Sequence, residues 1–412
     1  MISLENAREL IAEKLQPLLS GKTIETVKLW EAGGRVLAQT VIAAESVPPF
    51  DRSLVDGFAL LAADTKGARE SDPVKLEIVD TIAAGAVPRQ PLAPGKAAKI
   101  FTGAPLPEGA DSVIKKEEVI ETGGTPGSAQ MVMIKRKVAA GEGISFRGED
   151  IAAGEHLLNA GTVLTAAHLG VLATLGFDPV PVYAKPKIGI FATGNELVEA
   201  CGERKQGQIR VSNIYTLAEI VRQAGGIPVN LGLVKDRVAD VLKVYEKAQR
   251  LELPLVISTG GTASGAYDFV REAMETSGAL RLFSKVAIRP GAPVVAAVKE
   301  GQLLFGLSGN PGGAAVAMYL LLYPLIARLS GSYKELERSQ GRITKPLVAR
   351  GGVRRFIWAA SYEQDNQIIV TPFENQFCGT IKNHAQSNCL IELPAGEVEI
   401  AIDDPVVIWK LP

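Results

Sequence analysis

Residues 253–278 read LPLVISTGGTASGAYDFVREAMETSG. An apolar run of strand length ends in a glycine-rich loop, and a helical pattern follows at once. Strand, glycine loop and helix in that order make the joint of a βα unit. Outward from it the same joint recurs. KIGIFATG (187–194), PVNLGLV (228–234) and QLLFGLSGN (302–310) are apolar runs of strand length. Between and after them lie helical stretches: YTLAEIVRQAGG (215–226), VADVLKVYEKAQRL (238–251) and GGAAVAMYLLLYPL (312–325). This alternation predicts a parallel sheet with crossover helices, a doubly wound three-layer α/β domain over 181–330.

Three of these strands end in small or glycine-rich loops: FATGNEL (191–197), STGGTASG (258–265) and GLSGNPGG (306–313). In a doubly wound sheet ligands bind at the carboxyl ends of strands. Helix N-termini there offer unpaired N–H groups and partial positive charge, so backbone alone can hold a phosphate. One glycine loop does no more than permit a tight turn; three in one domain imply a ligand site. Glu196, Asp236 and Asp268 stand at or near the strand ends. Hard carboxylate oxygens beside phosphates suit Mg²⁺. Each carboxylate taken singly also reads as a helix cap or a solvated loop charge.

The rest of the chain changes texture. Residues 3–19 and 22–42 read as helical, turning sheet-forming toward VLAQTVIAA. From 46 to 146, short alternating runs such as VKLEIVD, AAKIFTG and MVMIKRK are separated by Gly and Pro, as in a β-domain. TAAHLGVLATLGF (165–177) reads as an apolar helix. After residue 331 short strands return: GRITKPLVA, RRFIWAASYE, QIIVTPF, NCLIELPAG and DPVVIWKL. AAVAMYLLLYPLIA (314–327) is shorter than a spanning helix needs and contains Pro324, so it is expected to be a buried helix.

A chain of 412 residues with 47% hydrophobic and 22% charged residues is expected to be a soluble, multidomain protein. Its formal net charge of −1 gives no basic excess to attract nucleic acid, and no membrane partner is expected. The N-terminus, MISLENARELIAEKL, is charged throughout its length and reads as an amphipathic helix rather than a leader. Three cysteines without a CxxC pair suit a reduced, cytoplasmic chain. His156, His168 and His384 lie in unrelated segments, and no GxxxxGK[ST], GxSxG or HxxxH pattern occurs.

Seven motifs occur in a fixed order: DRSLVDGFAL (51–60), FTGAPLPEGADSVIKKEE (101–118), RGEDIAAGEHLLNAGT (147–162), FATGNELV (191–198), STGGTASGAYDFV (258–270), RPGAP (289–293) and GLSGNPGGA (306–314). Together they resemble the molybdopterin molybdenumtransferase family, to which the gephyrin E domain belongs, over essentially the whole chain. The resemblance implies a molybdopterin-binding α/β domain and a homodimer with four domains per chain. These are a discontinuous N-terminal domain (1–45 and 147–180), an inserted β-domain (46–146), the α/β domain (181–330) and a C-terminal β-barrel-like domain (331–412). It implies insertion of molybdate into adenylylated molybdopterin with Mg²⁺-dependent release of AMP. It also implies a possible second partner, either the adenylylating protein of that pathway or a protein ligand.

Carried over by motif, Asp56, Thr102, Glu196, Asp236, Asp268 and Lys285 take catalytic positions, with Glu196, Asp236 and Asp268 as metal ligands. Thr193, Gly194, Ser258, Thr259, Gly260, Gly261, Arg289, Pro290, Gly291, Ser308, Gly309, Asn310 and Pro311 surround the cofactor. The chain departs from the family pattern at several places. Ala292 replaces the lysine of PGKP, Ala263 and Ala266 replace polar residues of the TGG loop, and Ser308 and Gly313 alter the GNP loop. Ser145, Val211, Trp358 and Cys378 replace Arg, Asp, Arg and Ser. The changes remove polar groups and spare the loop-shaping glycines and prolines. Two further readings therefore stay open beside the insertase: a dimeric scaffold that lost the chemistry, and a carrier of a pterin or nucleotide.

Overall fold

The structure is a computed structural model of the chain that describes residues 1–122, 129–261 and 268–412. The chain divides into two compact units. One comprises Met1–Ala38, Gly161–Thr165 and Pro179–Pro412; the other comprises Gln39–Ala160 and Ala166–Asp178.

The first unit is built on a six-stranded sheet: β1 (Lys187–Thr193), β2 (Ile227–Val234), β3 (Leu255–Thr259), β4 (Leu280–Lys285), β5 (Pro293–Lys299) and β6 (Gln302–Leu307). Their spatial order is β2-β1-β3-β6-β5-β4. The first four are mutually parallel. β3 and β6 are buried at every residue, which is why they read as continuous apolar runs rather than alternating ones. The sheet is not all-parallel, as expected, but mixed, because β5 and β4 add antiparallel at one edge. Glu300 and Gly301 both have positive φ, the conformation of a two-residue hairpin turn, and they reverse the chain between β5 and β6.

Helices cover both faces. α1 (Leu4–Ser20), α2 (Asn213–Gln223) and α5 (Pro311–Leu329) share one apolar core with one face of the sheet. α3 (Val238–Arg250) and α4 (Phe269–Thr276) share a second core with the other face. These are the three layers expected. α5 is 94% buried, as its composition requires of a core helix. Pro324 does not end it. A π turn at Met318–Leu322 precedes the proline. Proline has no N–H to give the carbonyl four residues back. Arg8 of α1 supplies the missing donor: its Nε lies 2.8 Å from the Leu320 carbonyl.

Segment 22–42 is not helical. Ile24–Val27 forms a strand antiparallel to Val180–Tyr183, a short helical turn spans Leu29–Glu31, and Val41–Ile42 pairs with His156–Leu158. Thr23, Ile24, Thr26 and Val27 are β-branched, and a partner strand distant in sequence decided the matter over the local periodicity.

The C-terminal strands close on themselves. Arg338–Ile343, Arg354–Gln364, Gln367–Pro372, Cys389–Leu393 and Pro405–Lys410 form a complete circuit of pairings, so these five strands make a barrel. Ile357, Val370, Ile391 and Ile408 fill it. Closure removes the exposed sheet edges that invite association. The short strand Ile288–Arg289, just before the PGAP turn, pairs in parallel with Arg354 and Arg355 and joins the barrel to the α/β layer.

The second unit holds another six-stranded sheet, in the order Ser112–Lys115, Gly57–Leu60, Lys96–Ile100, Val74–Ile82, Met131–Ile134 and Val119–Thr122. Phe58, Leu60, Leu76, Ile114 and Val132 are among its fully buried side chains. The helix Ala166–Thr174 also belongs to this unit.

Candidate functional site

In the first unit the carboxyl ends of β1, β3 and β6 surround a cleft of about 100 Å³. Thr193, Glu196, Thr259, Gly260, Gly309 and Pro311 line it, joined by Arg210, Ser212 and Asn213 from the segment leading into α2. The sequence pointed to three loops at the carboxyl ends of strands, and the parallel register brings them together: Thr259 sits beside Leu307. Ala192 sits beside Thr259 on the other side. Gly260 is obligatory here. Its φ is +90°, and a Cβ on it would lie 2.2 Å from the Thr193 carbonyl.

Hydrogen bonds fix the walls. Thr193 Oγ1 donates to Asp236 Oδ1 at 2.5 Å, and the Asn195 N–H donates to Asp236 Oδ2 at 3.2 Å. Asp236 thus braces the TGN loop. Glu196 is exposed, and its carboxylate folds over Gly194. Asn213 Nδ2 donates to Thr259 Oγ1 at 2.7 Å and to the Gly309 carbonyl at 2.9 Å. Thr259 Oγ1 donates to the Ser308 carbonyl at 2.9 Å. Ser258 Oγ donates to the Phe305 carbonyl, inside the sheet.

The backbone donors expected at the helix N-termini are largely committed to protein partners. At α4 the Val270 N–H reaches the Gly261 carbonyl and the Arg271 N–H reaches Asp268 Oδ1. At α5, Pro311 has no N–H and Gly312 donates to the Cys378 carbonyl at 2.9 Å. Asp268 caps α4 and pairs with Arg271 Nε at 3.2 Å. Burial raises its carboxyl above the usual range. The replaced positions Ala263 and Ala266 lie outside the described residues.

The PGAP turn sits against the start of α5. Gly291 has φ +94°, and a Cβ there would lie 2.7 Å from the Gly313 carbonyl. Gly313 in turn approaches Ser308, so this turn abuts the loop that lines the cleft. The Val286 N–H donates to the Ala292 carbonyl, and Lys285 is the register partner of Pro293. Lys285 and Arg289 are exposed, Ala292 is half-buried, and among the described residues neither cation is held in an ion pair. Arg355 lies beside Arg289, with its guanidinium donating to the Arg350 carbonyl.

Of the replaced positions, Ser145, Val211, Gly313 and Trp358 are buried, and Val211 and Trp358 belong to the apolar core. Val211 is 4% exposed and Trp358 is 2% exposed. The Trp358 ring packs on His384, centroid to centroid 4.8 Å, and Nε1 faces Gly312. Gln376 bonds both the Trp358 N–H and its carbonyl.

Asp56 and Thr102 meet in the second unit. Asp56 Oδ1 accepts the Thr102 N–H at 3.0 Å and the Thr102 hydroxyl at 2.9 Å. Lys116 Nζ lies 3.4 Å from Oδ2. The Thr102 backbone bond, then its hydroxyl and Lys116, hold the Asp56 carboxyl below the usual range. Lys116 was not singled out in the sequence, although it stands in the quoted run SVIKKEE. Asn213 was missed too; an Asn at the first turn of a helix directly after a strand end was the available signal.

Three family models cover most of the chain: the MoeA N-terminal region (domain I and II) over residues 2–176, a probable molybdopterin binding domain over 189–328, and the MoeA C-terminal region (domain IV) over 340–411. The chain is 36% identical to a molybdopterin molybdenumtransferase of Bacillus subtilis over 375 residues, 90% of this chain and 86% of that one. The chain belongs to the molybdopterin molybdenumtransferase family. A Nostoc member is 33% identical over 100% of this chain and 94% of its own. The crystal structure of the molybdopterin biosynthesis moea protein from Pyrococcus horikosii superposes with a TM-score of 0.87 at 29% identity, covering 100% of this chain and 99% of that one. Family membership accounts for the α/β domain, the barrel and the motif order together.

Proposed function

We propose that the chain inserts molybdate into adenylylated molybdopterin, with release of AMP, as a step of molybdenum cofactor biosynthesis. The observation that carries this reading is the cleft at the carboxyl ends of β1, β3 and β6, adjoining a turn flanked by two cations that form no ion pair among the described residues, in a chain of transferase kin. The cleft receives the pterin–nucleotide. Lys285 and Arg289 meet the molybdate dianion, taking the part that a lysine at Ala292 takes in the family pattern. The scaffold and carrier readings draw no support from relatives that carry the transferase name.

Mg²⁺ belongs to the reading in a restricted form. Among the described residues, no group of three or more His, Cys, Asp or Glu is placed to hold a metal ion together. A Mg²⁺ held by one or two carboxylates and by substrate phosphates fits Glu196 with Asp236. Asp268 is spent on its helix cap. When bound, the ion neutralises phosphate charge. The protein's own part is to orient the nucleotide between the TGN and SGN loops. A homodimer, a cytoplasmic setting and the four-domain division complete the proposal. The three cysteines, Cys201, Cys378 and Cys389, are free, as a reducing setting requires.

The test is molybdate affinity and insertion rate in vitro with adenylylated molybdopterin. Lys285→Ala and Arg289→Ala are each expected to lose one charge-assisted contact, worth about 1.5–3 kcal/mol, or roughly ten- to a hundredfold in affinity. Ala292→Lys is expected to raise affinity. A wild-type chain that inserts no molybdenum would sink the reading.

A further inference from the structure

Past the end of β3 and β6, the bonds that join the two loops among the described residues are Gly260 N–H to the Leu307 carbonyl, at 3.1 Å, and the side-chain relay from Asn213. Asn213 is 8% exposed. An amide offers two N–H donors. One goes to Thr259 Oγ1 and the other to the Gly309 carbonyl. The Thr259 hydroxyl has a single hydrogen, which goes on to the Ser308 carbonyl. Each donor in this relay therefore has one partner, and the relay joins the start of α2, the TGG loop and the SGN loop. All three elements line the cleft.

We propose that Asn213 is a positioning residue of the transferase reaction: through Thr259 and Gly309 it sets the spacing of the two loops that receive the substrate. It does not touch the reacting atoms; it fixes where the groups that do are held. Small displacements of such groups cost turnover disproportionately, because reaction needs near-contact geometry. The inference rests on the transferase reading above.

The same strand pair carries a matched bond at its opposite end. Gln302, 9% exposed, donates Nε2 to the Leu253 carbonyl at 2.7 Å, tying the start of β6 to the chain two residues before β3. A purely structural relay predicts that loss of either bond acts alike. A positioning relay predicts that only the cleft end affects turnover.

The experiment measures kcat, KM for adenylylated molybdopterin, ligand affinity by calorimetry and melting temperature in four variants. Asn213→Ala removes the relay. Asn213→Asp keeps the shape but cannot donate. Thr259→Val cuts the same relay from its other side without changing volume appreciably. Gln302→Ala is the control. The expected result is a fall in kcat of at least about tenfold in the Asn213 and Thr259 variants, with a smaller change in KM. The double variant Asn213→Ala with Thr259→Val should be no worse than either single change. Gln302→Ala should lower melting temperature at least as much while leaving kcat at the wild-type value. Wild-type kcat in Thr259→Val or Asn213→Asp overturns the proposal, as does an equal loss of kcat in Gln302→Ala. If the wild type shows no turnover, the transferase reading falls; ligand affinity unchanged across the Asn213 and Thr259 variants would then overturn this inference separately.

Discussion

At the scale of single residues, charge and burial make separable predictions. Asp268 caps α4 through the Arg271 N–H, yet its side chain is only 9% exposed and burial raises its carboxyl above the ordinary 3.8. A raised carboxyl favours folding below its ordinary value and loses that contribution as pH rises through its folded value. Asn caps a helix as well as Asp does. Asp268→Asn is therefore expected to hold the urea midpoint near neutral pH and to remove this slope. Asp268→Ala is expected to cost about 1 kcal/mol through the lost cap. If Asn costs as much as Ala, the ion pair with Arg271 outweighs the cap. His384 gives the opposite pH sense. Packed between Trp358 and Tyr319, it is pushed below its ordinary 6.5 by burial. The unfolded chain then takes up a proton that the fold refuses, so stability falls as pH drops below about 6.5. His384→Gln should flatten that fall, read as the urea midpoint from pH 7 downward.

At the scale of elements, α5 is the instructive case. A proline inside a helix costs a hydrogen bond and crowds the preceding turn. Here the π turn absorbs the crowding and Arg8 satisfies the Leu320 carbonyl. Arg8 also lies over the Trp409 ring at 5.4 Å and within 3.8 Å of Glu335. Arg8→Ala leaves a buried carbonyl without its donor, at about 1–3 kcal/mol. The expected observation is a clear drop in urea midpoint that shrinks when Pro324→Ala restores a backbone N–H. Equal penalties in both backgrounds would mean that the Trp409 and Glu335 contacts carry the effect instead.

At the scale of the whole molecule, each unit keeps large apolar side chains in water. Trp30 is 95% exposed in the first unit. Phe50, Leu54, Phe101 and Phe146 are each more than a third exposed in the second. A second copy covering such surface is the expected partner, and sedimentation at micromolar concentration should give a dimer. A stable folded monomer at that concentration counts against the homodimer. Trp358 supplies a further whole-fold constraint on restoring charge at the proposed molybdate site. It fills core space beside Gly312 and His384. Trp358→Arg therefore removes packing as well as adding charge, so Ala292→Lys is the cleaner way to test charge.

The sequence by itself determined the α/β layers and the glycine loops. Burial on both faces forces continuous apolar strands, glycine is compulsory where Gly260 meets the Thr193 carbonyl, and helical periodicity survives in α2, α3 and α4. It also determined that α5 is a core helix, since its composition leaves no polar face. Only the tertiary structure decided the rest. Within the 22–42 segment, Ile24–Val27 became strand because Val180–Tyr183, over a hundred residues away, was there to pair with it. The antiparallel edge, β5 and β4, and the closure of the barrel depend on which strands meet, which no local pattern encodes. The cleft was legible as three loops but not as a hydrogen-bonded relay. Asn213, Thr259 and Gly309 are far apart along the chain, and an amide's two donors find their partners only once the strands have set their register.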